Sequence, residues 1–394
     1  MHTNPIQLIR PQETIDLLER LIRIPGHEDC PGQEKAIGEF LYRLFREEGI
    51  DVELQEVSDG RSNVIARLQG TGGGKSLMLN GHIDTIPPYD MPDALRPAVR
   101  NGKLYGRGAV DMLGAIAAMA SALIAVRRSQ IRLRGDLIFT GVIGEESGSA
   151  GAWHMVNQGV GADYAVVGEP TMMDIAVAHK GVEWFEIQFE GLAAHGSNPD
   201  AGINAIYHAN RFIQKVRETY IPELARRAHP LLGHSTVNIG EIHGGKRPTI
   251  VPDCCVVRLE RRYIPGENRE QVFQEMLSLL EEVKQAEDHV KVSIRRMPIT
   301  KDVPHDALES NPDSPLVQAL SDACREETGR NHAAIGVHFW TDAAILSNYG
   351  QMESVVCGPG NVAQAHSNDE YIELSQLEAA TRVYIKTALQ ICGN

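Results

Sequence analysis

Five side chains spread over most of the sequence, His82, Asp111, Glu146, Glu169 and His366, are of the types that bind divalent transition metals. Two imidazoles and three carboxylates form a mixed nitrogen and oxygen set suited to zinc, cobalt or manganese. A single tetrahedral zinc takes about four ligands, so five donors point to two ions sharing one carboxylate. Taken singly, each residue has an ordinary explanation. His82 and Asp84 read as a surface pair, Asp111 as a helix cap, and Glu145 with Glu146 as a solvated acidic turn.

The elements that must carry these residues argue for convergence. Leu77-Met78-Leu79 reads as a buried strand, and His82 lies just past its carboxyl end. Asp136 to Val142 is a second strand, delivering Glu145 and Glu146; Asp163 to Val167 is a third, delivering Glu169. A later strand, Ser354 to Gly358, precedes the loop that carries His366. Open α/β sheets hold ligands beyond the carboxyl ends of their strands, which is where these residues fall. Asp111 stands at the mouth of an apolar helix as the only charge between Arg107 and Arg127, so its carboxylate needs a partner. Asp84 leaves the same face of an extended segment as His82 and is placed to hold the second nitrogen of a metal-binding imidazole.

Amphipathic helices containing Ile15, Leu18, Leu21 and Ile22, and Ile37, Phe40, Leu41, Leu44 and Phe45, open the chain, followed by an edge strand over 51–57 and another strand over 63–68. From Gly181 the pattern becomes strand 183–190, helix 204–218, strands 235–242 and 254–263, helix 269–285 and strand 290–296. This is a β-α-β-β-α-β, ferredoxin-like order. The chain is therefore read as a catalytic domain in two parts, 1–180 and 298–394, with an α+β lid inserted at 181–297.

Composition narrows the partners. An apolar content of 42% with 23% charged residues is that of a soluble globular protein, and a net charge of −14 argues against nucleic acid or an anionic membrane. The longest uncharged apolar run, Met112 to Val126, falls short of the roughly 20 residues a membrane span needs. Asp16 and Glu19 interrupt the first apolar stretch, so no signal pattern is read and a cytoplasmic location is expected. The six cysteines include no CxxC pair and are expected as reduced thiols. Gly70 to Ser76 invites a phosphate-loop reading, but Gln69 stands where the motif needs glycine and a strand follows, so a turn is expected.

With these residues in place the sequence resembles the two-zinc aminoacylase and carboxypeptidase superfamily, most closely the acetylornithine deacetylase and succinyl-diaminopimelate desuccinylase group. The motifs that carry the resemblance are Gly81-His82-Ile83-Asp84-Thr85-Ile86-Pro87, Gly106-Arg107-Gly108-Ala109-Val110-Asp111-Met112, Glu145-Glu146, Gly168-Glu169-Pro170, Ala194-His195-Gly196-Ser197 and Ala365-His366-Ser367. The resemblance implies an α/β zinc-peptidase-type catalytic domain with a central mixed sheet, a lid that dimerises, and two divalent ions, zinc first, with cobalt or manganese as alternatives. It implies that Asp111 bridges the ions, His82 and Glu169 complete one site, Glu146 and His366 complete the other, and Asp84 supports His82. Glu145 becomes the general base, taking a proton from a bridging water and delivering it to the leaving amine. The Asp111-Met112 peptide bond is expected to be cis. His195 is implied to stabilise the oxyanion from the other subunit of a homodimer, and Arg262 to grip the substrate carboxylate. Asn238 and Thr341 are further candidate substrate contacts, and Gly358 and Gly360 candidate donors of backbone N–H groups to the substrate.

Two departures bear on specificity. Thr249 stands where many relatives have asparagine, and Phe339-Trp340 where they have small residues. The aromatics are most simply core packing; if they line the pocket instead, a bulkier or more apolar substrate than acetylornithine fits. The function expected is metal-dependent hydrolysis of the amide of an N-acyl-L-amino acid. A dipeptidase or carboxypeptidase using the same site, or a non-catalytic metal-binding protein, is the alternative.

Overall fold

The computed structural model describes residues 3–393, and the chain divides into two compact units. The first runs up to Val177, resumes at Glu309–Gly336, and continues from Thr341. It is built on a nine-stranded mixed sheet in which Leu77–His82 runs parallel to both Leu137–Val142 and Tyr164–Pro170, and Glu353–Gly358 runs parallel to Tyr164–Pro170. These four strands therefore end at one edge. Asp51–Ser58 is the outermost strand on one side, antiparallel to Arg61–Leu68. Leu77–His82 and Leu137–Val142 are buried at every residue, as their continuous apolar runs require. The apolar helix Leu113–Ser129 and the closing helix Leu374–Cys392 pack on this sheet. A small second sheet, Tyr371–Glu373 beside Lys103–Tyr105 beside Ala98–Arg100, ties the chain before Asp111 to the chain after His366.

The second unit comprises Ala178–Leu308 and Val337–Trp340. Its strands and helices follow the ferredoxin-like order: Gly181–Glu190, Ala205–Lys215, Thr236–Gly244, Cys254–Tyr263, Arg269–Ala286 and Lys291–Arg296. The four-stranded sheet is ordered Thr236–Gly244, Cys254–Tyr263, Gly181–Glu190, Lys291–Arg296, over a core that includes Phe185, Phe189, Phe212 and Met276. The unit reaches past the expected 297 boundary for a visible reason. The Met297 N–H donates to Trp184 O at 2.8 Å, the Val182 N–H donates to His305 O at 2.8 Å, and the Trp340 ring lies 4.2 Å from that of His305. No periodic pattern announces such contacts.

The glycine-rich stretch 70–76 is a turn. Its first three amides are already engaged, Gly70 with the Asp136 carboxylate and Thr71 and Gly72 with the carbonyls of Leu133 and Arg134, and the strand Leu77–His82 follows. All six cysteines are free thiols, and no helix among the described residues is long and apolar enough to cross a membrane.

Candidate active site

The common edge of the parallel strands brings the five candidate ligands together in the first unit. His82 is the last residue of its strand and Glu169 lies near the end of Tyr164–Pro170. Glu146 follows Leu137–Val142 in a tight turn, and His366 lies in the loop after Glu353–Gly358 with φ +60°. The Nε2 atom of His82 is 3.1 Å from Asp111 Oδ1 and 3.5 Å from Glu169 Oε1. The Nε2 atom of His366 is 3.2 Å from both Asp111 Oδ2 and Glu146 Oε1. The two oxygens of Asp111 thus face different imidazoles. Ligand atoms of His82, Asp111 and Glu146 all lie within 4.8 Å of one another. The Asp111-Met112 bond is cis, and the helix behind it begins only at Leu113, with Met112 at the cap position. The Asp111 side chain is free of capping and turns to the histidines.

The electrostatics are those of a site short of positive charge. Burial, reinforced by neighbouring carboxylates, pushes the Glu145, Glu146 and Glu169 carboxyls up. Asp111 is the exception. Burial acts to raise it too, but hydrogen bonds from His366 and His82 hold it well below the usual carboxylate range. His82 is fully buried, which acts to lower its pKa, yet the hydrogen bond to Asp111 and the charges of Glu169 and Asp84 raise it well above the ordinary value. Hydrogen bonds to Asp111 and Glu146 raise His366 to about 10. Protons on the imidazoles here do work that divalent cations would do better, since oxygen and nitrogen donors around a shared carboxylate suit two such ions. The donor set fits the metal pair.

Asp84 differs from the expectation in how it supports His82. The Nδ1 atom of His82 meets the Asp84 carbonyl oxygen at 2.9 Å, while the carboxylate lies 3.6 Å away. That carboxylate instead accepts the N–H groups of Glu145 at 3.1 Å and Glu146 at 3.0 Å. It fixes the turn that carries the two glutamates. The expected N–H donors are also spoken for: Gly358 donates to Thr171 Oγ1 at 3.1 Å and Gly360 to Gln376 Oε1 at 2.8 Å. Glycine is required there for space, because a Cβ on Gly358 would lie 2.0 Å from Gly168 O, and one on Gly360 2.2 Å from Val110 Cγ2. Thr341 is fully buried, its hydroxyl accepting the Ala343 N–H. Next to it Asp342 is buried too, and burial pushes its carboxyl up to about 6.

His195, Asn238 and Arg262 belong to the second unit. His195 is exposed, its Nδ1 2.7 Å from Ser197 Oγ. Asn238 pairs in register with Glu260, two residues from Arg262 on the strand Cys254–Tyr263, so all three share one face of the sheet. Arg262 is held by Glu260 through Nε at 2.8 Å and one terminal nitrogen at 3.1 Å, and its other terminal nitrogen donates to His338 O at 3.1 Å. One N–H on each terminal nitrogen is left as a donor. Phe339 and Trp340 are half-buried; Trp340 Nε1 donates to Asp306 O at 2.9 Å, and its ring stacks on His305.

Sequence reasoning passed over Glu370 and the side chain of Arg107, both 1% exposed and paired at 2.5 Å. The signal available was an arginine between two glycines in an otherwise apolar stretch.

Comparison with known proteins places the chain among relatives. The family described as Peptidase family M20/M25/M40 matches residues 78–390. An acetylornithine deacetylase of Myxococcus xanthus is 32% identical over 357 residues, covering 88% of this chain and 89% of its own. A probable succinyl-diaminopimelate desuccinylase of Staphylococcus epidermidis is 26% identical over 413 residues, covering 96% and 97%. Among solved structures, an M20 family metallo-carboxypeptidase from Sulfolobus solfataricus superposes with a TM-score of 0.81 at 16% identity, covering 97% of this chain and 99% of that one, a likeness of fold.

Proposed function

The chain belongs to peptidase family M20/M25/M40 and is an amidohydrolase of that family, and from that premise we propose that it cleaves the amide bond of an N-acyl-L-amino acid. The observation that carries the proposal is the convergence of His82, Asp111, Glu146, Glu169 and His366 beside a half-buried Glu145. In this reading His82, Glu169, Glu146 and His366, with Asp111 as the shared carboxylate, would hold two divalent ions, His82 and Glu169 one and Glu146 and His366 the other; zinc is preferred, with cobalt or manganese as alternatives. When bound, such ions supply Lewis acidity toward the carbonyl oxygen and lower the pKa of water to about 7.

The chain's own residues do the rest. Glu145 accepts the proton of the attacking water and passes it to the amine nitrogen as the carbon–nitrogen bond breaks. Asp84, by holding the Glu145 and Glu146 N–H groups, keeps base and ligand in register. Arg262 presents its two remaining N–H groups to the substrate carboxylate, with Asn238 on the same strand face and Thr341 as a further contact. His195 neutralises the developing oxyanion across a homodimer formed by the lid. Supporting the dimer, Thr236–Gly244 is the edge strand of its sheet, and Ile242 is 50% exposed. A cytoplasmic setting fits small acylated amino acids as substrates.

The test is to incubate zinc- or cobalt-loaded protein with N-acetyl, N-formyl, N-succinyl and long-chain N-acyl amino acids and with dipeptides, identifying products by mass spectrometry. Metal-dependent release from an acylated class is expected. Cleavage of dipeptides alone moves the assignment to a peptidase, and inertness toward all of them overturns it.

A further inference from the structure

Outside the metal-binding side chains, one buried ion pair touches three of the loops that carry them. Arg107 and Glu370 are each 1% exposed, and an Arg107 terminal nitrogen donates to Glu370 Oε2 at 2.5 Å. The other carboxylate oxygen, Oε1, accepts the N–H groups of Val110 at 3.0 Å and of Asp111 at 3.2 Å. Arg107 also donates to Ser367 O at 3.3 Å, next to His366, and to Pro88 O at 3.5 Å, in the loop that follows His82 and Asp84. The Gly106 N–H closes the arrangement by donating to Glu370 O at 3.1 Å. Local structure explains the meeting. Tyr105 and Tyr371 are directly paired in the small sheet, so 106–111 and 366–370 leave the same strand pair side by side.

Stability alone is a poor reason for such a pair. Burying two charges costs desolvation, and replacing both partners by apolar groups of similar volume is often neutral or better. What an apolar pair lacks is an acceptor for the backbone of Asp111, the one ligand both imidazoles approach. We infer that Arg107 and Glu370 are positioning residues: Glu370 fixes the backbone of the shared aspartate, and Arg107 locks that backbone to the His366 and His82 loops, so that the pair sets the affinity of the metal site. The inference rests on the reading of the five residues as metal ligands. Supporting groups of this kind change metal affinity by roughly 10 to 100-fold when lost.

Two charge-neutral double variants separate positioning from packing. Arg107→Met with Glu370→Leu removes the acceptor for the Asp111 N–H; Arg107→Met with Glu370→Gln retains an oxygen there. Cobalt(II) titration followed by visible absorption, with thermal unfolding measured alongside, reads the difference. The leucine double variant should bind cobalt about 10 to 100-fold more weakly than the parent, and the glutamine one should recover the part of that loss due to the Asp111 N–H acceptor, the remainder being the share of Arg107. Parent-like binding in both variants overturns the inference. So does equal weakening in both that tracks their unfolding temperatures, or failure of both to fold, since either result makes the pair a requirement of the fold. A parent protein that binds no cobalt instead removes the metal reading itself.

Discussion

The Asp111 cluster and the strand face around Arg262 both gather charge, but the first is built around buried members and the second is open to water along most of its length. The first collects carboxylates and imidazoles from five separate segments, with His82 and Glu169 buried, Asp111 and Glu146 half-buried and His366 at the open side, and with the buried Asp84 and Glu370 holding backbone N–H groups beneath them. The second is a ladder on one sheet face, in which Glu186 bonds Arg258 and Arg295 while Glu260 bonds Arg262, with side chains partly open to water. Water screens the ladder, so each rung is worth about 0–1 kcal/mol and the rungs tolerate change. The buried members of the cluster, His82 and Glu169, have little such screen. Removing one member leaves a charge uncompensated, which costs several kcal/mol. The lesson is that a fixed cluster geometry and a tolerant surface ladder are kept in different dielectric settings.

Substitutions can break or sharpen this contrast. The largest effect expected is at Glu145: Glu145→Ala should lower turnover by at least about 100-fold while cobalt titration shows the metal retained. Unaltered turnover removes it from the mechanism. His195→Ala should also depress turnover without loss of metal. Mixing that protein with Glu145→Ala subunits should restore part of the activity; no rescue points to a site completed within one chain. Arg262→Lys should raise KM about 10-fold with kcat little changed, since the point charge stays and the planar pair of donors is lost. Equal loss in kcat instead places Arg262 in the transition state.

Removing the metal with a chelator should make stability depend on pH in a direction fixed by His366. Its folded pKa is raised from 6.5 to about 10, so its contribution is complete below 6.5 and is lost as pH rises through 10. The raised carboxyls of Glu145, Glu146 and Glu169 act in the same sense, favouring the protonated folded form at lower pH. Metal-free protein should therefore melt at lower temperature at pH 10 than at pH 6.5, whereas metal-loaded protein should show a weaker trend; identical profiles for the two deny the cluster its metal. The smallest effect is on the ladder, where Arg258→Ala should change unfolding free energy by no more than about 1 kcal/mol in a denaturant titration.

Periodicity and punctuation determined much of this protein from the sequence alone. Alternation and apolar runs suffice for the buried strands and the ferredoxin-like order of the second unit, because both follow from which faces must leave water. The residue types at the strand ends suffice to nominate His82, Glu146 and Glu169, since parallel strands deliver their carboxyl ends to one edge. Hydrogen-bond partners are a different matter. Nothing local shows that Asp84 turns its carboxylate to the Glu145 and Glu146 amides, that Gly358 and Gly360 spend their N–H groups on Thr171 and Gln376, or that Arg107 meets Glu370 across 263 positions. Short strands such as Lys103–Tyr105 and Tyr371–Glu373 exist only as each other's partners. Such features satisfy polar groups that burial leaves in need, and which groups those are is decided by the packed chain.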